Sequence, residues 1–304
     1  MNATPRYLQP DVLARLGGLE VRARAVVEGF VSGMHRSPYH GSAVEFAEHR
    51  AYVPGDDLRH LDWRVMARTD RLLIKEYEEE TNLRTHLLVD GSASMRYPES
   101  PASGRWSKFE YAATLAASLA FLLTHQQDSV GLLLFDDQVR SELPPLSSPA
   151  HLRAIVDALE RARLERPDAP DQLDRQLAPQ LRRRALVVLI SDLLFPPAAL
   201  ARVLDRLRFD RHETLVMHVL DADERTFPFS DLTRFEGLER LEPRVTVDAP
   251  SLRSAYLAAL EDHLRAVRTC CRARRADLVE LTTSEPLDVA LRRYLAARSH
   301  FTQR

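Results

Sequence analysis

Short apolar runs that alternate with longer helical patterns are the strongest constraint on how this chain folds. From residue 84 onward, the runs lie at 85–89, 130–135, 185–190, 214–220 and 277–281. The run 185–190 is continuously apolar, as a parallel strand covered on both faces should be. This alternation predicts an α/β domain with a mostly parallel central sheet and helices on both of its faces. Ligands in such domains bind beyond the carboxyl ends of the strands.

The segments between these runs predict the remaining elements. Helices are expected over 10–33, 107–125, 152–163, 173–183, 197–207, 251–275 and 287–297. Ser107 and Glu110 have the spacing of a capping box, which predicts where the second helix begins. A short antiparallel edge strand is expected near 138–143, and a hairpin within 235–248.

The chain before residue 84 has a different texture. Residues 35–80 are dense in charge, aromatic side chains and turn residues, and 72–77 resembles a strand. We therefore predict a mixed α/β N-terminal module over 1–83 and the α/β domain over 84–304. Charges of both signs between Asp56 and Arg71 surround Trp63. They form either a solvated surface or a binding surface.

Composition narrows the class of protein. The 304 residues are 45 % hydrophobic and carry a formal net charge of −2, so the chain is not disordered and no strong field favours nucleic acid or membranes. Adjacent Cys270 and Cys271 form neither a disulfide framework nor a CxxC motif. The N-terminus lacks the apolar core of a signal peptide, and no apolar run is long enough to span a bilayer. A cytoplasmic location is expected.

Oxygen ligands follow two of the predicted strands. One strand ends in Asp90, which Ser92 and Ser94 follow, and the strand 185–190 ends at Ser191 and Asp192. If the two strands are neighbours, these side chains converge at one edge of the sheet. Carboxylates and hydroxyls are hard ligands that suit Mg²⁺ or Mn²⁺ better than zinc.

Other interpretations of the same residues remain open. Ser92 and Ser94 are typical helix caps, although the next predicted helix begins only near Ser107. The chain has no GxSxG elbow, Walker A loop or HExxH motif, and Ser92 stands where an aspartyl-phosphate phosphatase would need a second Asp. A metal-dependent hydrolase using Asp90 and Asp192 and a scaffold with an empty metal site are the alternatives to a binding site.

One group of residues carries a family resemblance. It comprises 35–38 (HRSP), 41–46 (GSAVEF), 50–63 (RAYVPGDDLRHLDW), 67–69 (ART) and 75–80 (KEYEEE). This pattern resembles the signature of the domain of unknown function 58 family, and the resemblance runs from about residue 15 to the C-terminus. Members of that family are similar to von Willebrand factor type A domains, which implies a Rossmann-like three-layer fold.

The resemblance also implies a metal-ion-dependent adhesion site. Asp90, Ser92 and Ser94 match its first loop, and Asp192 matches its last acidic position. The middle position is usually a Thr, but the matching loop 167–173 has none. Asp171 is the candidate substitute there, and it would change the charge at the metal.

Finally, the resemblance implies partners. Genes of this family often neighbour those of MoxR-type AAA+ ATPases, with which the products are thought to act in protein maturation, assembly or stress response. We therefore expect a bacterial, non-catalytic, chaperone-like adaptor that uses Mg²⁺ or Mn²⁺ to bind such an ATPase and an unidentified protein client.

Overall fold

The computed structural model describes residues 18–34, 49–51, 73–75, 84–98, 105–164, 173–177, 179–181, 183–238 and 244–301. The chain divides into two compact units, one of Met1–Ser32 with Leu83–Arg304 and the other of Gly33–Asn82. The predicted boundary between residues 83 and 84 stays a prediction. In the smaller unit, β1 (His49–Ala51) pairs antiparallel with β2 (Leu73–Lys75). Trp63 and the charges around it lie outside the described residues.

The larger unit follows the predicted alternation of strands and helices. Its elements are α1 (Leu19–Met34), β3 (Arg84–Asp90), a 3-10 helix (Ala93–Arg96), α2 (Lys108–His125), β4 (Ser129–Phe135), β5 (Val139–Leu146), α3 (Pro149–Glu160), α4 (Leu173–Leu177), β6 (Leu186–Ser191), α5 (Pro197–Phe209), β7 (Glu213–Leu220), α6 (Ala222–Thr226), β8 (Leu232–Phe235), β9 (Val245–Asp248), α7 (Ala249–Ala273), β10 (Asp277–Thr282) and α8 (Leu287–Phe301).

Six strands form the central sheet in the order β10-β7-β6-β3-β4-β5. Every neighbouring pair is parallel except β4–β5, so β5 is the antiparallel edge strand that the sequence predicts. The chain places β4 on one side of β3 and β6 on the other. The switch point of the sheet therefore lies between β3 and β6, where an open α/β sheet forms its ligand crevice.

Alternate side chains of each strand enter two separate apolar cores. On β3, Leu87 and Val89 pack with α1, α2, α3 and α8, whereas Leu88 packs on the opposite face with α4, α5 and α7. Strand side chains alternate between the two faces of a sheet, so apolar residues at successive positions require cover on both sides. The predicted three-layer α/β architecture is confirmed.

Several local features differ from the sequence prediction, including the short helix α6, which was not predicted. The helix expected over 173–183 ends at Leu177, two residues before Pro179. A residue that precedes proline is disfavoured in helical conformation, which accounts for the early end. The 3-10 helix Ala93–Arg96 was not predicted, because a single turn leaves no periodic pattern in the sequence. β8 and β9 pair antiparallel, but β8 (Leu232–Phe235) lies almost entirely before the predicted segment 235–248, so only the second strand of the hairpin was placed correctly. None of the described helices is long and apolar enough to cross a membrane.

The capping box at the start of α2 is confirmed. The Ser107 hydroxyl accepts from the Glu110 amide at 3.1 Å, and the Glu110 carboxylate accepts from the Ser107 amide at 2.8 Å. These two bonds satisfy amides that the first turn of a helix leaves without partners.

We expect Ser107→Ala to lower the free energy of unfolding by about 1 kcal/mol, because the Glu110 amide loses its acceptor. Urea unfolding followed by circular dichroism measures the change. Ser107→Asp keeps an acceptor at the cap and is the matched control. Equal losses in both variants would show that the hydroxyl does not act as a cap.

Candidate metal centre at the edge of the sheet

Four neighbouring strands each deliver an aspartate to the carboxyl edge of the sheet. Asp136 follows β4, Asp90 ends β3, Asp192 follows β6 and Asp221 follows β7. All four are buried, with at most 2 % of their surface exposed. A buried carboxylate requires hydrogen bonds and a nearby positive charge to remain ionised. The hydrogen-bond and ion-pair partners of the four aspartates therefore show which of them has a negative charge that a bound cation could balance.

Three of the four aspartates pair with a cationic side chain. The pairs are Asp136 with Arg140 at 2.7 Å, Asp192 with Lys108 at 2.7 Å and Asp221 with Arg105 at 2.5 Å. Asp90 differs, since its carboxylate accepts from the Ser92 amide at 2.9 Å and from the Ser191 hydroxyl at 2.6 Å. Within the described residues, no cationic side chain forms an ion pair with it.

The surroundings of Asp90 disfavour its negative charge. Burial is the main cause that raises the pKa of Asp90, and the neighbouring Asp192 carboxylate raises it further. The hydrogen bonds from Ser191 and Ser92 act in the opposite direction but do not cancel the shift. Neutral donors orient a carboxylate without supplying the charge that balances it. Asp90 is thus held in place while its charge is left uncompensated.

The two serines after Asp90 present their hydroxyls side by side. The Oγ atoms of Ser92 and Ser94 are 3.0 Å apart, and both residues are buried. Ser92 is the N-cap residue of the 3-10 helix, but its side chain makes no capping hydrogen bond. The helix-cap interpretation therefore does not account for the Ser92 hydroxyl. Adjacent ligands of an octahedral ion with bonds of about 2.1 Å lie about 3.0 Å apart, so this pair fits Mg²⁺.

Asp192 is kept ionised by a buried lysine. The Lys108 ammonium donates to Asp192 at 2.7 Å and to Glu224 at 2.6 Å, with 1 % of its side chain exposed. Burial alone would raise the pKa of Asp192, but the Lys108 ammonium, together with hydrogen bonds from Ser94 and the Leu194 amide, outweighs it and holds that pKa below the ordinary value. Burial would likewise lower the pKa of Lys108, yet the two carboxylates raise it above its usual range.

Asp90, Ser92, Ser94 and Asp192 therefore meet at one edge, as the sequence predicts for neighbouring strands. Asp171 lies outside the described residues, so its proposed place at the metal stays a prediction. No group of three or more His, Cys, Asp or Glu side chains suited to a metal occurs in the described part of the chain. A metal here would therefore depend on the serine hydroxyls as well as on the carboxylates.

Lys108, Ser191 and Glu224 were not among the predicted site residues. Ser191 directly precedes Asp192, and its hydroxyl reaches Asp90 across the β3–β6 boundary. Glu224 completes a capping box with Asp221 at the start of α6. That DxxE spacing was a usable signal for its position. Nothing in the sequence marks Lys108, which lies 84 residues from Asp192.

The chain belongs to the family described as "Protein of unknown function DUF58", whose profile matches residues 48–266. The resemblance seen in the sequence is thereby confirmed. Similar proteins include "Uncharacterized protein Rv1480" of Mycobacterium tuberculosis and "Uncharacterized protein Mb1516" of Mycobacterium bovis. Each is 28% identical over 294 residues, which cover 95% of this chain and 90% of the relative.

Similar solved structures have low sequence identity. An aerotolerance-related membrane protein from Bacteroides fragilis gives a TM-score of 0.43 at 16% identity, covering 69% of this chain and 97% of that protein. BatB from Bacteroides thetaiotaomicron gives a TM-score of 0.41 at 14% identity, and the match covers 72% of this chain and 99% of that protein. The VWA domain of SpRpn10 gives a TM-score of 0.35 at 13% identity, and the match covers 69% of this chain and 93% of that domain.

A buried histidine supports the Asp192 backbone and generates a pH prediction. His218 on β7 is fully buried, and its Nε2 lies 2.8 Å from the Asp192 carbonyl oxygen. Burial lowers the pKa of His218 from 6.5 to about 4. Between these values the unfolded chain binds a proton that the folded chain does not. The stability of the fold therefore decreases as the pH falls through this interval.

We expect His218→Gln to remove this contribution, which amounts to up to about 3 kcal/mol at acidic pH. Urea unfolding of the wild type and of His218→Gln at several pH values between about 4 and 6.5 gives the free energy of unfolding, and the two proteins should differ in its slope against pH. The exposed His125 at the end of α2 supplies the control variant, His125→Gln. If wild type and His218→Gln lose stability in parallel, His218 is not kept neutral by the fold.

Proposed function

We propose that this protein is a non-catalytic adaptor that binds partner proteins through a divalent ion at the Asp90 edge of the sheet. The observation that carries the proposal is the contrast among the four edge aspartates. Three have a cationic side chain as partner, whereas Asp90 has only neutral donors among the described residues. The second support is the pair of buried hydroxyl oxygens beside it.

The charge at the site fits a divalent ion. The carboxylates of Asp90, Asp192 and Glu224, together with the Lys108 ammonium, leave two negative charges when all are ionised. One Mg²⁺ or Mn²⁺ balances them. The ligands would be the hydroxyls of Ser92 and Ser94, with Asp90 and Asp192 acting directly or through water, as Mg²⁺ commonly allows.

A bound ion of this kind supplies an open coordination position that a carboxylate from a partner protein can take. The chain's own residues hold that position in place. Ser191 and the Ser92 amide orient Asp90, and the 3-10 helix fixes the spacing of the two hydroxyls. Lys108 keeps Asp192 ionised. This arrangement favours recognition over turnover, because the side chains that contact the two aspartates are hydroxyls and a paired ammonium.

The proposed partner is a MoxR-type AAA+ ATPase, acting with this chain on a protein client in maturation or complex assembly. Support comes from the family to which the chain belongs and from the partnership that the family resemblance implies. In this proposal the ATPase supplies the energy, and the present chain supplies the recognition surface.

The metal site predicts a stability effect that separates Asp90 from its neighbours. Mg²⁺ or Mn²⁺ should raise the melting temperature of the wild type, since an ion that binds only the folded state stabilises it. Asp90→Asn should abolish the rise while leaving the metal-free protein as stable as wild type or more so, because it removes a buried uncompensated charge. Differential scanning fluorimetry measures both effects.

Asp136→Asn is the matched control for this experiment. It removes a carboxylate from the next strand of the same edge, where Arg140 already balances the charge. We expect it to lower the melting temperature without metal but to retain the metal-dependent rise. A wild-type protein whose melting temperature ignores both ions would exclude the metal site.

The adaptor role predicts that the ATPase binds less well when Asp90 is changed. Pull-down of the MoxR-type ATPase encoded in the same genome should fall at least about tenfold for Asp90→Asn, since the coordination bond is lost. Asp136→Asn should retain binding. All samples keep the same Mg²⁺ concentration, because a chelator would also disturb the nucleotide site of the ATPase.

Equal recovery of the ATPase by wild type and Asp90→Asn would contradict the adaptor mechanism. Metal-dependent hydrolysis of a phosphoester or peptide panel by this chain alone, abolished in Asp192→Asn, would instead establish the hydrolase alternative.

A further inference from the structure

Lys108 occupies a position that is unfavourable for a cation unless the carboxylates hold it there. It is the first residue of α2, at the positive end of the helix dipole, where acidic side chains are favoured. Its side chain is buried, so water does not solvate the ammonium. Two carboxylates at 2.7 and 2.6 Å supply the only ion pairs found for it in the described part of the chain.

We propose that Lys108 competes with the divalent ion for Asp192 and thereby sets the metal affinity of the site. This inference rests on the proposed metal site. Asp192 would have to serve two cations at once, the ammonium already bound to its Oδ2 and the incoming ion. Two positive charges that share one buried carboxylate repel each other strongly, because little solvent screens them.

Glu224 has the opposite effect in this arrangement. It lies at the start of α6, and its carboxylate accepts a second hydrogen bond from the same ammonium at 2.6 Å. The negative charge of Glu224 offsets part of the repulsion that the Lys108 ammonium exerts on an incoming ion. The three side chains thus form a balance in which Lys108 weakens metal binding and Glu224 restores part of it. The chain can thereby hold a divalent ion reversibly, as an exchangeable recognition site requires.

The first test replaces the ammonium with an apolar side chain of similar length. Isothermal titration with Mn²⁺ alone, and then with Mg²⁺ alone, should show Lys108→Met binding at least about tenfold more tightly than wild type. Arg105→Gln is the control, because it removes a positive charge from the same edge that contacts Asp221 and Asp223 but not Asp192. We expect its affinity to stay within about twofold of wild type.

The second test covers the possibility that Lys108→Met does not fold. Glu224→Gln should bind Mn²⁺ about three- to tenfold more weakly than wild type, because Glu224 then no longer offsets the repulsion between the ammonium and the ion. Asp223→Asn is its matched control. It removes the neighbouring negative charge, which contacts Arg105 and Tyr97 instead of Lys108. We expect no comparable loss from that change.

The outcomes separate this inference from the proposed function. Tighter binding by Lys108→Met supports the competition. Weaker binding by Glu224→Gln with an unchanged Asp223→Asn is a result that the competition also requires, and unchanged binding by Glu224→Gln would overturn it. Metal binding that is the same in wild type, Lys108→Met and Glu224→Gln overturns the competition and leaves the metal site intact. Absence of binding in wild type and in every variant overturns both.

Discussion

The buried ammonium of Lys108 holds three separate segments together at the carboxyl edge of the sheet. It joins the start of α2 to Asp192 after β6 and to Glu224 in α6. Removing one partner from a buried ion pair leaves the other charge without compensation, which typically costs about 3 to 5 kcal/mol. The positions of Asp192 and α6 therefore depend on this contact more than on the helix caps around it.

The topology explains why the uncompensated carboxylate lies at Asp90. The helix that follows β3 packs on one face of the sheet, whereas the helix that follows β6 packs on the other. The two connections thus leave the edge in opposite directions and open a crevice between them. Asp136 has Arg140 from the adjoining edge strand as its partner. Asp90 ends β3 at this switch point, where Ser191 and a backbone amide satisfy its oxygens without balancing their charge.

Much of this arrangement follows from the sequence because it depends on local patterns. Apolar residues at successive positions of β3 require cover on both faces, and parallel strands bring Asp90 and Asp192 to the same edge. The capping box at Ser107 is equally local and was predicted correctly. The length of α4 was not predicted correctly, because Pro179 interrupts a sequence pattern that otherwise continues as a helix.

The role of Lys108 has no local signal, because a lysine at the start of a helix is ordinarily a solvated side chain. Its burial arises only when β6 and α6 close over it, and this requires the whole fold. The same holds for Asp136 and Asp221, which sequence alone presents as ordinary loop acids. Their ion pairs make Asp90 distinctive. Among the four edge aspartates, the other three have a cationic partner, whereas Asp90 has none in the described part of the chain. In the proposed function, the divalent ion supplies the charge that Asp90 lacks, and the ammonium on Asp192 limits how tightly that ion is held.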